Sequence, residues 1–244
     1  MTFSVVTPTW NCAPTVTSTI QSVMAQECDA DIEHLLIDGA STDKTVDTAI
    51  ACKSPYLKVF SEADKGIYDA FNKGVERASG QVISILNADD WYFPDTFSTV
   101  NDLFGAHPEI DFIHGNIEVL KGNVSTIYCP RRGLASLEGA RVYHPTVFVR
   151  SCVFQKVGLF DLTYPLCADL DWFIRCQKAG YTFYYLNKTM THFALGGAST
   201  TRRGEVIREV SLILKKHGFP SWQRWSVSAI EHLRMAASWF RSKV

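Results

Sequence analysis

Between Phe3 and Leu86 the chain alternates three times between short, β-branched runs and stretches with helical spacing, and that alternation restricts its fold more than any other feature. Phe3 to Thr7 reads as a strand stopped by Pro8. A polar loop, Thr9-Trp10-Asn11, leads to Val16, Ile20, Val23 and Met24 at helical spacing. Glu33 to Ile37 reads as a second strand. Gly39 allows a tight turn after Asp38, and Ser41, Thr42 or Asp43 is placed to cap a helix beginning near Lys44. Leu57 to Phe60 is a third strand; behind it Ile67, Ala70, Phe71, Gly74, Val75 and Ala78 mark one face of a helix. Gln81 to Leu86 is the fourth strand. Strands and helices alternating in this way specify an α/β fold, with a mostly parallel sheet flanked by helices.

The fourth strand runs into Asn87-Ala88-Asp89-Asp90, after which Pro94 opens a helix carrying Phe97, Val100, Leu103 and Phe104. Two adjacent carboxylates therefore sit on a strand-to-helix turn. In open α/β sheets that edge is where ligands bind, and paired acids there suit a hard divalent cation holding substrate phosphates. The alternative is an acidic turn that caps the next helix, for which one Asp suffices.

Beyond this point the alternation weakens. Asp111 to Gly115 reads as a strand, Ile117 to Leu120 and Val124 to Tyr128 as a hairpin, Arg131 to Tyr143 as a loop, and His144 to Val149 as a strand. Ser151 to Val157 is a short helix closed by Gly158. A further helix begins around Leu166 to Trp172 and ends at Gly180. Tyr181 to Leu186 is a strand, Thr191 to Thr200 a glycine-rich loop, and two helices follow, Gly204 to His217 and Trp222 to about Phe240.

With 244 residues, 46% hydrophobic and 20% charged, the chain is that of an ordinary globular protein. No run of about 18 apolar residues occurs and a strand-like segment opens the chain, so neither a spanning helix nor a signal peptide is expected. The seven cysteines are scattered without a C-x-x-C pair, which fits a reducing cytoplasm better than a disulfide or metal-thiolate framework. Charge divides the chain unevenly. Residues 202–244 carry nine Lys/Arg against three Asp/Glu, and residues 1–201 carry fifteen against twenty-two. An acidic sheet domain repels a polyanion, which argues against a nucleic-acid partner. The basic tail, with Trp222, Trp225, Trp239 and Phe240, is expected to dock through Glu205 to Val244 on the inner face of the cytoplasmic membrane; the alternative is ordinary packing on the sheet domain.

Asp38 after the second strand, Asn87, Asp89 and Asp90 after the fourth, and Asp169 at a later helix start form an ordered set of acids and amides. With them stand Val6-Thr7-Pro8-Thr9-Trp10-Asn11, Ile37-Asp38-Gly39-Ala40-Ser41-Thr42-Asp43, and the segment from Asp64 to Gly74. Over residues 3–200 these motifs resemble, in order, the nucleotide-sugar glycosyltransferases of family 2, especially bacterial surface-polysaccharide, colanic-acid-like members. The resemblance implies a GT-A-like domain over 1–201 with a helical appendage over 202–244. It implies inverting transfer of a sugar from a nucleotide-diphosphate sugar, UDP favoured, to a hydroxyl of a glycan or lipid-linked acceptor. A divalent metal, Mn²⁺ or Mg²⁺, is the implied cofactor.

Carried over residue by residue, the resemblance puts Asp169 in the position of the catalytic base and Asp89 in that of the metal ligand, and His192 is a candidate to complete the metal shell. Thr7, Pro8, Asn11 and Asp38 correspond to the nucleoside pocket. Asp64, Lys65, Tyr68, Asn87, Ala88 and Asp90 are further candidates for donor contacts, Asp90 also being the fallback metal ligand. Asn87 and Ala168 depart from the family pattern, standing where an Asp and a Glu are common. Asp171, two residues from Asp169 on the same helix, would point to a different face. Two other function classes compete: a non-catalytic nucleotide-sugar or nucleic-acid binding module, and a nucleotidyltransferase. The latter normally carries a glycine-rich, basic phosphate loop after its first strand, and Pro8 to Pro14 contains neither Gly nor Lys.

Overall fold

The structure, a computed structural model, describes residues 1–121, 124–130, 142–197 and 201–222. The first half follows the expected alternation: β1 (Thr2–Thr9), α1 (Val16–Met24), β2 (Asp31–Asp38), α2 (Thr45–Ala51), β3 (Leu57–Ser61), α3 (Ile67–Arg77) and β4 (Val82–Ile85). Then come β5 (Trp91–Tyr92), α4 (Thr96–Ala106), β6 (Phe112–Lys121), β7 (Val124–Tyr128), a 3₁₀ turn (His144–Thr146), β8 (Phe148–Arg150), α5 (Ser151–Val157), α6 (Ala168–Lys178), β9 (Phe183–Phe193) and α7 (Arg203–Lys216).

The strands form one sheet in the order β3-β2-β1-β4-β8-β6-β9-β5, with β7 on the outer part of β6. β3, β2, β1, β4, β6 and β9 run in one direction and β8, β5 and β7 against it. Adjacent residues of β1 serve opposite faces, as strand alternation demands. Val6 joins Leu35, Ile37, Phe71 of α3 and Trp172 of α6 on one face, whereas Phe3 and Val5 meet Val23 of α1 and Phe97 and Val100 of α4 on the other. Both faces are thereby covered by helices, and each fully buried aliphatic or aromatic side chain contributes about 1.5–3 kcal/mol. α3 lies especially low on β1. A Cβ at Gly74 would collide with the Val6 side chain.

Four elements differ from expectation. β1 is not stopped by Pro8. The Val6 carbonyl accepts from the Leu86 N–H, so Val6 and Pro8 both turn toward β4, whose pairing ends at Ile85. The N–H that proline lacks falls where no partner strand remains. β6 is a single strand from Phe112 to Lys121 with irregular register against β9 at Asn116, not two. β9 continues through Phe193, pairing Thr191 to Phe193 with Ile117 to Val119, where a loop was expected. His144 to Thr146 forms a 3₁₀ turn in place of a strand start. Residues 122–123, 131–141 and 198–200, and the expected helix beyond Trp222, lie outside the described residues.

The first part of the basic tail is bound to the sheet domain. Ile213 and Leu214 of α7 are fully buried against Leu166, Cys167, Leu170 and Ile174. The Glu209 carboxylate accepts from the N–H groups of Leu166 and Cys167. Asp171, buried completely, receives Arg175 at 2.9 Å, Lys216 at 3.0 Å and His217 at 2.9 Å. For Ile213 and Leu214 the packing alternative holds, since both side chains are spent on α6, whereas Leu212 of the same helix is 48% exposed. Among the described residues no helix is long and apolar enough to cross a membrane.

Candidate active site

All strands of the parallel half end at the same edge of the sheet, and a cavity of about 1190 Å³ opens there. Three groups of residues build it. Pro8, Asn11, Gly39 and Asp64 come from the exits of β1, β2 and β3; Asn87, Ala88 and Asp89 from the exit of β4; Tyr68, His144 and Asp169 from the starts of α3, the 3₁₀ turn and α6.

At the β4 exit the backbone is pinned from below, where the Thr19 hydroxyl donates to the Asp90 carbonyl at 2.7 Å. Asp89 is half-buried. Burial raises its carboxyl pKa, and no other side chain pairs with it among the described residues. The Asn87 Oδ1 is buried without a partner among the described residues, while its amide nitrogen donates toward Asp90 at 3.4 Å. Asp90 is buried behind the turn, accepts the Ala194 N–H at 2.8 Å, and is pushed up to about 8 by burial and by the neighbouring Asp89 charge. It ties the turn to the segment after β9 and forms no part of the wall.

One free carboxylate and one unsatisfied amide oxygen suit a hard divalent cation that takes its remaining ligands from substrate phosphates and water. Among the described residues no three His, Cys, Asp or Glu side chains cluster as a complete protein-only site. His192 pairs with Trp91 next to this turn but does not line the cavity. Because β9 extends through Phe193, alternation sends Phe193 into the cavity and His192 to the opposite face, where its ring stacks on Trp91 with centroids 3.8 Å apart and Nδ1 lies 3.3 Å from Glu118. That position corrects its expected place in the metal shell.

At the β2 exit, Asp38 is fully buried and its oxygens are occupied. Thr9 Oγ1, Ser41 Oγ, Ser61 Oγ and the Ser41 N–H all donate to it, at 2.5–3.0 Å. Burial pushes its pKa up, but these donors outweigh it and hold the carboxyl below its usual range. Asp38 therefore fastens three strand exits together and corrects the expectation of a direct nucleoside contact. Thr7 is likewise buried, with Oγ1 2.8 Å from His34 Nε2, and does not reach the cavity. Lys65 is exposed and absent from the wall.

Asn11 does line the cavity. Its Oδ1 accepts from the N–H groups of Thr42 and Asp43, stapling the β1 and β2 loops together at a positive φ of 49°. Gly39 matters through close approach, since a Cβ there would collide with the Asp64 carboxylate. Beside them Trp10, 70% exposed, presents an aromatic face to the cavity mouth.

On the third side, Asp169 Oδ1 accepts from the Tyr68 hydroxyl at 2.8 Å and the Leu170 N–H at 2.9 Å, leaving Oδ2 without a partner among the described residues. Burial, then the Asp169 charge, raises the Tyr68 pKa well above that of an ordinary phenol, so Tyr68 remains a donor. His144, whose ring centroid is 4.9 Å from that of Phe71, has a buried Nε2 without a partner among the described residues; burial lowers its pKa, against the pull of Asp169. Trp10 and His144 were not singled out from the sequence. The signal for Trp10 was an aromatic residue at a strand exit; His144 becomes visible only once β8 is paired beside β4.

Of the expected site residues, the cavity thus gathers Pro8, Asn11, Asp64, Tyr68, Asn87, Ala88, Asp89 and Asp169. The family model for glycosyl transferase family 2 matches residues 4–154. A "PGL/p-HBAD biosynthesis glycosyltransferase" of Mycobacterium bovis is 32% identical over 210 residues, covering 82% of this chain and 79% of that protein. A mannosyltransferase from Pyrobaculum calidifontis, solved with GDP-Man and Mn²⁺, shares the fold with a TM-score of 0.69 at 17% identity, covering 88% of this chain and 63% of that one. Residues 1–349 of S. aureus TarS, solved with UDP-GlcNAc, align with a TM-score of 0.67 at 18% identity over 88% of this chain and 66% of that one. The fold is that of the GT-A glycosyltransferases. By the family model and by this identity, the chain belongs to glycosyl transferase family 2 and is a glycosyltransferase.

Proposed function

We propose that the enzyme is metal-dependent and transfers a sugar, with inversion, from a nucleotide-diphosphate sugar to a hydroxyl of a glycan or lipid-linked acceptor in surface polysaccharide or glycolipid synthesis. UDP is the favoured nucleotide. The observation that carries this is a pair of carboxylates, Asp89 and Asp169, that stand on separate elements, face one cavity and each keep an oxygen open. Asp89 and the orphaned Asn87 Oδ1 would hold Mn²⁺ or Mg²⁺, which supplies charge stabilisation for the departing nucleotide diphosphate.

The chain's own residues account for the remainder. Pro8, Asn11, Gly39 and Asp64 frame the nucleotide, with Trp10 at its edge. Asp169 Oδ2 takes the proton of the acceptor hydroxyl as that oxygen bonds to the anomeric carbon and the bond from that carbon to the diphosphate breaks. Attack from the face opposite the leaving group inverts the centre, and base assistance of this kind supplies roughly 10²–10⁴-fold in rate. Tyr68 fixes the Asp169 rotamer through Oδ1 and keeps Oδ2 turned to its task. Purified protein incubated with UDP-, GDP- and dTDP-sugars, with Mn²⁺, Mg²⁺ or EDTA, tests the reading by nucleotide release. Release that is indifferent to EDTA would remove the metal, and no release from any donor would remove the activity.

A further inference from the structure

The face that α7 turns to α6 is apolar with one exception. Val206, Val210, Ile213 and Leu214 pack against Leu166, Cys167, Leu170 and Ile174. Glu209, three residues after Val206 and four before Ile213, stands on that same face. A carboxylate set among apolar contacts costs folding free energy unless donors reach it. Here two do, since Oε2 accepts from the Leu166 N–H at 2.9 Å and the Cys167 N–H at 3.0 Å. The Cys167 N–H and the Leu166 carbonyl belong to one trans peptide group, so they point in opposite directions. The carbonyl accepts from the Tyr68 hydroxyl at 3.1 Å. One peptide plane is thereby clamped between Glu209 of α7 and Tyr68 of α3. It leads directly into α6, whose second residue is Asp169, and the same Tyr68 hydroxyl lies 2.8 Å from Asp169 Oδ1. Leu166 and Asp169 both line the cavity.

Resting on the assignment of Asp169 as the base, we infer that Glu209 is a positioning residue for the transfer reaction, holding the entry of α6 so that Asp169 meets the acceptor hydroxyl. The appendage is then part of the catalytic apparatus. Docking of α7 does not itself require Glu209, because Ile213 and Leu214 are buried on α6 and Lys216 and His217 reach Asp171. What Glu209 adds is a grip on the two N–H groups that precede the base. Without it both lose their acceptor, and the Leu166–Cys167 peptide is held from the Tyr68 side alone. Rotation of that plane withdraws the carbonyl from Tyr68 and tilts the first turn of α6, and with it Asp169 Oδ2. A misplacement of about 1 Å in a reacting group costs on the order of 10²-fold in rate, so a small tilt is enough to register in turnover. The donor side, built on the exits of β1 to β4, stays where it was.

The test measures nucleotide release from the donor that supports it in the panel of nucleotide sugars and, separately, Mn²⁺–UDP binding by titration calorimetry, both below the melting temperature of every variant. The variants are Glu209→Ala, Glu209→Gln, Asp169→Asn and the Asp169→Asn/Glu209→Ala double variant. Glu209→Ala should lower kcat at least about tenfold with Mn²⁺–UDP affinity within about twofold of wild type. Glu209→Gln, whose amide oxygen still accepts both N–H groups, should recover kcat to within about threefold. In the Asp169→Asn background the same alanine should cost less than about twofold, because its effect runs through the base. Where Glu209→Ala unfolds, Glu209→Asp carries the same test, its charge kept and its reach short by one methylene. Unchanged kcat in Glu209→Ala, a loss matched in Mn²⁺–UDP affinity, or no recovery in Glu209→Gln overturns the inference. So does an equal loss in the Asp169→Asn background, an outcome that leaves Asp169 as the base. No release by wild type, or normal turnover in Asp169→Asn, removes the transfer reading and this inference with it.

Discussion

Two strand exits on the same edge of the sheet each deliver a carboxylate, and the chain treats them in opposite ways. At the β2 exit Asp38 is enclosed by three hydroxyls and an N–H from β1, from its own loop and from β3. At the β4 exit Asp89 has no such donors among the described residues, and burial raises its pKa. A carboxylate whose acceptor capacity is used within the chain organises loops. One kept half-buried and unpaired costs folding free energy unless a ligand completes it. The same division recurs on α6, where Asp169 keeps Oδ2 open among the described residues and Asp171 is enclosed by Arg175, Lys216 and His217.

Substitutions that treat the open and enclosed acids alike will break or sharpen this contrast. Asp89→Ala should have the largest effect, lowering turnover on the order of 10³-fold and removing the response to added Mn²⁺ while thermal stability holds or rises. Wild-type turnover and metal response in that variant would erase the contrast at its most important point. Asp169→Asn keeps the shape and loses the basicity; kcat should fall by about a hundredfold with donor affinity and folding intact. Near-normal turnover, or a larger loss in Asp171→Asn, would exchange the roles of the two acids.

Asp171→Ala should act on stability. Leaving Arg175, Lys216 and His217 around an empty site costs about 3 kcal/mol in urea unfolding, and the loss should appear as release of α7. Unchanged stability would mean that the ionic knot contributes nothing beyond the apolar contacts of Ile213 and Leu214. Asp38→Asn should be the mildest, about 1–2 kcal/mol, and its signature is a pH profile. The folded carboxyl lies below its usual range, so its contribution is complete above pH of about 4 and is lost as pH falls through the folded value. Acid unfolding curves of wild type and variant should therefore converge at low pH; a constant offset would show that the donors around Asp38 do not distinguish its charged form.

The first ninety residues were legible because their signals are local: β-branched runs, helical spacing at Val16 to Met24 and Ile67 to Ala78, and polar exits. β5 was not, since Trp91 and Tyr92 become a strand only through pairing with Thr191 and His192, about a hundred residues away. The extension of β9 was hidden for the same reason, and with it the face on which His192 lies. Asp89 and Asp169 were singled out through motif order, and both line the cavity. That Asp38 is enclosed was invisible, because its donor Ser61 belongs to another strand and enters no local pattern.

Gly74 has a consequence at a distance. Six residues separate it from Tyr68 along α3, a rise of about 9 Å. The helix rests on Val6 at the one position where it carries no side chain, so the gap between helix and sheet is set by missing atoms. A methyl group inserted there is a wedge under a rigid rod. It lifts the rod, and the Tyr68 hydroxyl at the far end leaves the range of a carboxylate on another helix. The reach of that hydroxyl is thus calibrated by a shim of zero thickness, at a position that touches neither substrate nor solvent.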